Sequence, residues 1–286
     1  LNFDIVRNKA LTTDDIVQRA KDAETIIFVG GISPNLEREE AKVTNPGFDN
    51  GDRTSIELPQ CQRDILRALH NAGKKVVLVN CSGSAVALTP EQDETCDAIL
   101  QAWYPGEQGG HAIADVLFGD YNPSGKLPVT FYKNDSQLPD YEDYSMKGRT
   151  YRYFDDPLFA FGYGLSYTQF EIGQAQLTKT DNGKTMKLTV PVTNKGRRDG
   201  TETVQVYIRD LSDTEGPLKS LRGFCRVSVK AGKTEKCEIL LETAKAFEFF
   251  DPATNTVHGP TDHRQYELFY GNSSRPVDLK KLMVSL

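Results

Sequence analysis

The sequence predicts an α/β domain followed by an all-β domain, that is, a mostly parallel-sheet α/β sandwich and then an antiparallel β-sandwich. The chain has 286 residues, enough for two hydrophobic cores. In its first half, short apolar runs alternate with amphipathic stretches, whereas after about Phe170 apolar and polar residues alternate one by one. We therefore expect an α/β domain at 1–132, an aromatic-rich connection at 133–171 and a β-sandwich at 172–286.

Four short apolar runs of the first half predict buried strands, and two amphipathic stretches predict helices. The runs are "TIIFVGG" (25–31), "KKVVLVN" (74–80), "AILQAW" (98–103) and "KLPVTF" (126–131). The first helix is expected in "LPQCQRDILRALHNAG", where Pro59 suits the first turn and Gly73 suits the end. The second is expected in "GGHAIADVLFG". Strands separated by helices indicate a parallel sheet.

The second half shows the period of two that is typical of half-buried strands. Its alternating runs are "TMKLTVPVTN" (185–194), "ETVQVYIRD" (202–210), "FCRVSVKAGKTEKCEILL" (224–241) and "RQYELFYG" (264–271). Turn signals such as "DNG", "RRDG" and "KAGK" separate them, which predicts an antiparallel sandwich without helices.

Charge and composition exclude several classes of partner. There are 40 acidic and 34 basic residues, so the formal charge of −6 disfavours binding to nucleic acid. No apolar run approaches the roughly 20 residues of a membrane span, and the first residues lack the pattern of a signal peptide. We expect no nucleic-acid or membrane partner, and the oligomeric state stays open.

The cysteines and histidines show no spacing that indicates a metal site. Five cysteines are scattered without close pairs, and the four histidines are equally dispersed. We therefore expect no metal and no cofactor. Cys225 and Cys237 lie in two neighbouring predicted strands and could form a disulfide, or they could be buried small apolar residues.

Three long motifs resemble the C-terminal half of glycoside hydrolase family 3 enzymes. They are "AWYPGEQGGHAIADVLFGDYNPSGKLPVTF" (102–131), "GRTYRYF" (148–154) and "FAFGYGLSYTQFEI" (159–172). The resemblance implies that the β-sandwich is a fibronectin type III-like domain. The segments "VPVTNKGRRDGTETVQVYIRD" and "LKSLRGFCRVSV" resemble the strands of that domain. It extends from about Glu24 to the end but does not cover the family's (β/α)8 barrel. The chain is thus expected to be the second half of an enzyme that draws its nucleophile, an aspartate, from that barrel.

The resemblance also implies a site in the acidic loop "GGISPNLEREEAKVTNPGFDNGDR" (30–53). In the family, the general acid/base is a glutamate between a strand and an Asp-Arg pair, here Asp52 and Arg53. A Glu-x-Glu in this loop resembles the β-xylosidase members, which favours Glu39 as the acid/base, with Glu37 as the alternative. We expect Asp52 and Arg53 to have a structural role near the site, because an aspartate ahead of a helix suits the helix dipole.

Chemistry sets what this loop can do. Hydrolysis with retention needs two carboxyl groups roughly 5 Å apart, one as nucleophile and one as proton donor, and neighbouring carboxylates raise the pKa of a donor. A solvated acidic loop without function is the alternative interpretation of the same residues. Because the barrel would supply the nucleophile, we expect the isolated chain to be inactive.

The leading functional hypothesis is an exo-acting retaining β-glycosidase that hydrolyses terminal β-xylosides or β-glucosides. Its partners would be an oligosaccharide or β-glycoside substrate and the barrel, in cis or as a separate chain, and resemblance alone implies a periplasmic or secreted location. The alternative is a non-catalytic carbohydrate-binding or scaffold module, which needs no carboxylate in the loop. Trp103 and Tyr104 could stack on sugar rings or be a fold signature, and 151–153 is expected to pack domains together.

Overall fold

The computed structural model describes residues 11–37, 45–261, 263–284 and 286. They form two compact units. The first contains the described residues up to Ile113 together with Tyr132–Gln137, and the second contains Ala114–Phe131 together with the described residues from Leu138 onward. The domain limits expected at 132 and 171 stay predictions.

The first unit is built on a parallel sheet, as the sequence predicts, and the sheet has three strands in the order β1-β4-β5. Its elements are α1 (Thr13–Arg19), β1 (Thr25–Gly31), β2 (Phe48–Asp49), β3 (Asp52–Arg53), α2 (Gln60–Asn71), β4 (Lys75–Cys81) and β5 (Ala98–Gln101). A π-helical turn, Glu91–Thr95, precedes β5, and α3 (Gly109–Phe118) follows it.

Helix α2 packs on the central strand through one apolar face. Leu66 and Leu69 are buried, and Gly73, with φ at +74°, ends the helix as predicted. On β4, Val76 and Leu78 lie on the same face of the strand and are completely buried. The core of this unit therefore lies between α2 and the middle of the sheet.

Three of the four predicted buried strands differ in the structure. Strand β5 forms, but all four of its residues are at least partly exposed. Strand β1 is present but not buried: Ile27 is 43% exposed and Val29 is 64% exposed, because both lie on a face of the sheet that the described residues leave open. The run "KLPVTF" forms no strand. Pro128 has no N–H for a ladder, and the run is joined to the segment 159–163 by an isolated bridge between Phe131 and Phe159 and by backbone hydrogen bonds of Leu127.

The second unit is the predicted antiparallel β-sandwich. Its strands are β6 (Phe170–Ile172), β7 (Gln176–Thr180), β8 (Thr185–Asn194), β9 (Gly200–Asp210), β10 (Ser220–Val229), β11 (Thr234–Glu242), β12 (Phe249–Asp251), β13 (Thr256–His258), β14 (Tyr266–Gly271) and β15 (Leu279–Val284). One sheet of the sandwich has the order β10-β9-β14-β15, the other has the order β11-β8-β6 with β7 also paired to β8, and β12 and β13 form a separate two-stranded sheet. Two single α-helical turns belong to this unit, α4 (Thr150–Tyr153) and α5 (Thr243–Ala246). Only α5 lies after Phe170, where no helix was expected.

The sandwich core follows the period of two. On β8 every second side chain from Met186 to Val192 is buried, and β9 contributes Val204 and Val206 to the same cluster. Of the two alternatives for Cys225 and Cys237, the disulfide is not formed. Cys225 and Cys237 belong to different sheets and are free thiols, with Cys237 Sγ 3.7 Å from the carbonyl oxygen of Cys225.

Candidate functional site

The candidate site lies at the carboxyl ends of the three parallel strands. Ligands of open α/β sheets bind at this edge, because the loops that follow the strands converge there. β1 ends at Gly31, β4 at Cys81 and β5 at Gln101. The segments after these ends bring Glu37, Ser84 and Tyr104 into contact.

The first residues of the acidic loop leave the sheet in a fixed direction. Gly31 has φ at +126°, and a Cβ there would lie 2.0 Å from the carbonyl oxygen of Cys81, so only glycine fits. The side-chain amide of Gln62, from α2, accepts the N–H of Gly31 at 2.8 Å and donates to its carbonyl oxygen at 2.6 Å. Ile32 N–H donates to Cys81 O at 3.0 Å. Helix and strand together orient the start of the loop.

Both carboxylate oxygens of Glu37 are engaged. Oε2 lies 3.1 Å from the hydroxyl of Tyr104, and Oε1 accepts from Ser84 Oγ at 3.4 Å. Arg53 Nη1 is 3.7 Å from Oε1, and a quarter of the Glu37 side chain, 24%, remains exposed. Glu37 is therefore held among three side chains.

Arg53 lies on a β-hairpin that was not predicted from the sequence. Strands β2 and β3 pair antiparallel, and the turn between them has φ at +51° for Asn50 and +95° for Gly51, the left-handed pair that an Asn-Gly turn supplies. The dipeptide "NG" was the signal that could have found it. Asp52 is exposed on this hairpin, well ahead of α2, so the expected stabilisation by the helix dipole does not apply.

The guanidinium of Arg53 connects two loops through hydrogen bonds. Nε donates to Ser55 O at 3.2 Å, and Nη1 donates to Ser84 Oγ at 3.0 Å and Ala85 O at 3.3 Å. Nη2 is buried with no hydrogen-bond partner among the described residues. Burial lowers the pKa of Arg53, and the nearby charge of Glu37 opposes that shift.

Tyr104 is positioned by a strained turn after β5. Trp103 has φ at +56°, a region that bulky residues rarely adopt, and strain of this kind is concentrated at functional sites. The Tyr104 hydroxyl also lies 2.9 Å from Ile32 O. Because it has one hydrogen, it can donate to Ile32 O and accept from a protonated Glu37, or donate to an ionised Glu37. Burial, followed by the contact with Glu37, raises the pKa of Tyr104.

A buried amide network supports the loop that carries Ser84. Asn80 Nδ2 donates to Ser82 Oγ at 3.1 Å and to Gln101 Oε1 at 2.6 Å, and Ser82 Oγ donates to Ser84 O at 2.9 Å. Asn80 and Ser82 are completely buried. This network was not predicted from the sequence, although polar residues at the ends of two predicted strands indicated it.

Part of the predicted site lies outside the described residues. Glu39, the preferred acid/base, falls in 38–44, so its role stays a prediction. Among the residues that the structure does describe, no group of three or more His, Cys, Asp or Glu side chains could hold a metal ion. Within the same residues, none of the helices has the length and apolar character needed to cross a membrane.

Comparison with known proteins gives two matches to family models. Residues 4–167 match the glycosyl hydrolase family 3 C-terminal domain, and residues 202–274 match the fibronectin type III-like domain.

Two relatives of the chain are named as glycosidases. A xylan 1,4-β-xylosidase of Xylanibacter ruminicola is 57% identical over 286 residues, which is 100% of this chain and 33% of that protein. A periplasmic β-glucosidase of Salmonella typhimurium is 40% identical over 257 residues, 84% of this chain and 32% of that protein. The chain thus spans about a third of the length of the curated relatives that it matches.

Solved structures show the same fold. A β-glucosidase of Erythrobacter marinus superposes with a TM-score of 0.80 at 36% identity, covering 96% of this chain and 36% of that one. A β-glucosidase of Chaetomella raphigera superposes with a TM-score of 0.82 at 30% identity, covering 96% of this chain and 41% of that one.

Proposed function

The chain belongs to glycosyl hydrolase family 3, and from that premise we propose that it supplies the general acid/base of an exo-acting retaining β-glycosidase. The substrates would be terminal β-xylosides or β-glucosides, since the relatives carry both names. A periplasmic or secreted location is proposed because one relative is named as periplasmic.

The contacts that Glu37 makes are the reason for preferring Glu39 as the acid/base. A proton donor must present its O–H to the glycosidic oxygen, within hydrogen-bond distance. The oxygens of Glu37 instead face Tyr104, Ser84 and Arg53. We therefore assign Glu37 to anchoring the loop and Glu39 to proton transfer, with Glu37 kept as the alternative donor.

The mechanism follows from retention. Glu39 would protonate the leaving oxygen while an aspartate of the barrel attacks the anomeric carbon, and Glu39 would then take a proton from the water that hydrolyses the covalent intermediate. Glu37 and Glu40 flank Glu39 in the sequence, and like charges favour the protonated form that the first step requires. The barrel would be a partner in cis or a separate chain. Without it no covalent intermediate forms, so the isolated chain is expected to be inactive.

A chimera provides the test. The chain replaces the corresponding third of the Xylanibacter ruminicola xylosidase, with which it is 57% identical. Aryl β-xylosides with poor and good leaving groups then separate the steps. With Glu39→Gln, kcat/KM for a poor leaving group should fall about 10²–10⁴-fold, because protonation is lost, whereas a dinitrophenyl xyloside should lose far less. Added azide should restore turnover of the dinitrophenyl xyloside by the Glu39→Gln variant, and the product should be the glycosyl azide.

Glu37→Gln is the matched control. It removes a carboxylate two positions away, and it should depress both substrates alike, because a disturbed loop does not depend on the leaving group. The leaving-group dependence appearing with Glu37→Gln instead would transfer the role to Glu37. If neither variant showed the leaving-group dependence, an acid/base in this loop would be contradicted. If the isolated chain turned over substrate and Glu39→Gln removed that activity, the need for the barrel would be contradicted.

A further inference from the structure

The second unit contains a cavity of 550 Å³ that the proposed function does not use. Its volume lies within the roughly 300–1,000 Å³ of small-molecule sites. The wall is formed by α4, the ends of β9 and β10, β12, and the loop 211–217. Two sequence motifs converge on it, "GRTYRYF" through 151–153 and "LKSLRGF" through 220–222.

One side of the cavity offers aromatic surface. Phe250 is 52% exposed, and Tyr153 is half-buried. Phe249, by contrast, is already covered by the guanidinium of Arg264, 3.4 Å above its ring centre. Phe250 is thus the open ring that an apolar ligand face can reach, whereas Tyr153 has the guanidinium carbon of Arg152 5.7 Å from its ring centre.

Helix α4, which bears Tyr153, is held rigidly. Tyr151 stacks on Phe161 with ring centres 4.4 Å apart, and its hydroxyl accepts the N–H of Leu221 at 3.1 Å. A wall fixed before binding reduces the entropy lost when a ligand enters.

The other side offers a donor and an acceptor next to each other. Arg222 Nη1 donates to Glu248 Oε1 at 2.9 Å, and the Glu248 side chain is 38% exposed. Arg222 Nε is buried and has no hydrogen-bond partner among the described residues. A paired guanidinium and carboxylate suit hydroxyl groups, because each hydroxyl both donates and accepts.

The charge of the lining selects against anions. Four carboxylates and two guanidinium groups contribute to it: Asp210, Asp213, Glu215, Glu248, Arg152 and Arg222. Arg264 pairs with Asp210, so the carboxylates outnumber the guanidinium groups by one; this negative charge disfavours a phosphate or a uronic acid, since like charges repel at short range. The chemistry therefore favours a neutral ligand with several hydroxyl groups and an apolar face.

We propose that this cavity binds a short neutral oligosaccharide. Phe250 contacts the apolar face of a sugar ring, and the Arg222–Glu248 pair bridges adjacent hydroxyls. The choice of xylose or glucose units rests on the proposed function, whereas the site itself rests on the cavity alone.

Calorimetric titration of the 286-residue chain with xylotriose and with cellotriose tests the site. We expect at least one to bind in the millimolar range, and Phe250→Ser to weaken it about fivefold or more. Phe224→Ser is the matched control, because Phe224 is 63% exposed on β10 but does not line the cavity. It should leave the affinity unchanged, as should Glu39→Gln, which separates this site from the acidic loop.

Three outcomes overturn the proposal. These are no binding of either trisaccharide up to about 20 mM, equal effects of Phe250→Ser and Phe224→Ser, and tighter binding of a glucuronic acid-bearing xylotriose than of xylotriose. Loss of binding with Glu39→Gln alone would move the site to the acidic loop and also overturn it. None of these results bears on the leaving-group test of the chimera, so the two proposals fail separately.

Discussion

Arg53 and Glu37 form an ion pair, 3.7 Å from Nη1 to Oε1, between the Asn-Gly hairpin and the start of the acidic loop. The distance exceeds the roughly 2.7–2.9 Å of a strong charge-assisted hydrogen bond. The same nitrogen lies 3.0 Å from Ser84 Oγ. Arg53 therefore acts mainly by joining the segments around residues 53–55 and 84–85, and its attraction to Glu37 is secondary.

Arg53→Ala should lower the free energy of unfolding by about 1–3 kcal/mol, because it leaves the partly buried carbonyl oxygens of Ser55 and Ala85 without this donor. Arg53→Lys should recover less than half of the loss, since an ammonium group lacks the planar fork that reaches both Ser55 O and Ala85 O. Urea unfolding measures both variants. Lys75→Gln, in a fully exposed ion pair with Glu24, is the control, and a loss no larger than that of the control would contradict the role of Arg53.

Gly83→Ala should displace Tyr104. A Cβ at Gly83 would lie 2.5 Å from Tyr104 Cε2, so we expect a loss of about 1–3 kcal/mol in unfolding free energy. Gly106→Ala, where a Cβ meets open space, is the matched control. The clash predicts non-additivity: Gly83→Ala should cost much less in a Tyr104→Ala background. Additive losses in urea unfolding would show that the ring is not what Gly83 accommodates.

The elements could be predicted from the sequence where local pattern decides them, and the site could not. Leu66, Leu69 and Gly73 follow directly from helical spacing and glycine chemistry. The exposure of Val29 depends on what covers the sheet, which no strand pattern encodes. The contact of Tyr104 with Glu37 joins residues 67 positions apart through a left-handed Trp103, so it follows from the fold alone.

The thiols should react in an order set by exposure and pKa. Cys61 is exposed, whereas burial raises the pKa of Cys96 to about 11. At pH 8 the thiolate fraction of Cys96 is therefore far below that of an ordinary thiol, and thiolate is the reactive form. Ellman's reagent should show one fast phase, which Cys61→Ser removes. In denaturant five thiols should react, since all are free; a count of three would indicate that Cys225 and Cys237 are oxidised.

Glu91 should make stability depend on pH in the sense opposite to an ordinary paired carboxylate. It is 1% exposed, and burial raises its pKa more than the charge of Arg63, with Nε 3.4 Å from Oε1, lowers it. The folded state therefore holds the proton more tightly than the unfolded state. The stabilisation is complete below the ordinary pKa of a glutamate and is lost as the pH rises through the raised value.

Glu91→Gln, which cannot ionise, should accordingly gain stability relative to the wild type between about pH 4 and pH 7. Urea unfolding at several pH values in this interval measures the difference. Glu94→Gln, an exposed change in the same π-helical turn, should give a difference that hardly varies with pH. If the stability of the wild type instead rose relative to that of Glu91→Gln with increasing pH, the attraction of Arg63 would outweigh desolvation, and Glu91 would be an ordinary ion-pair partner.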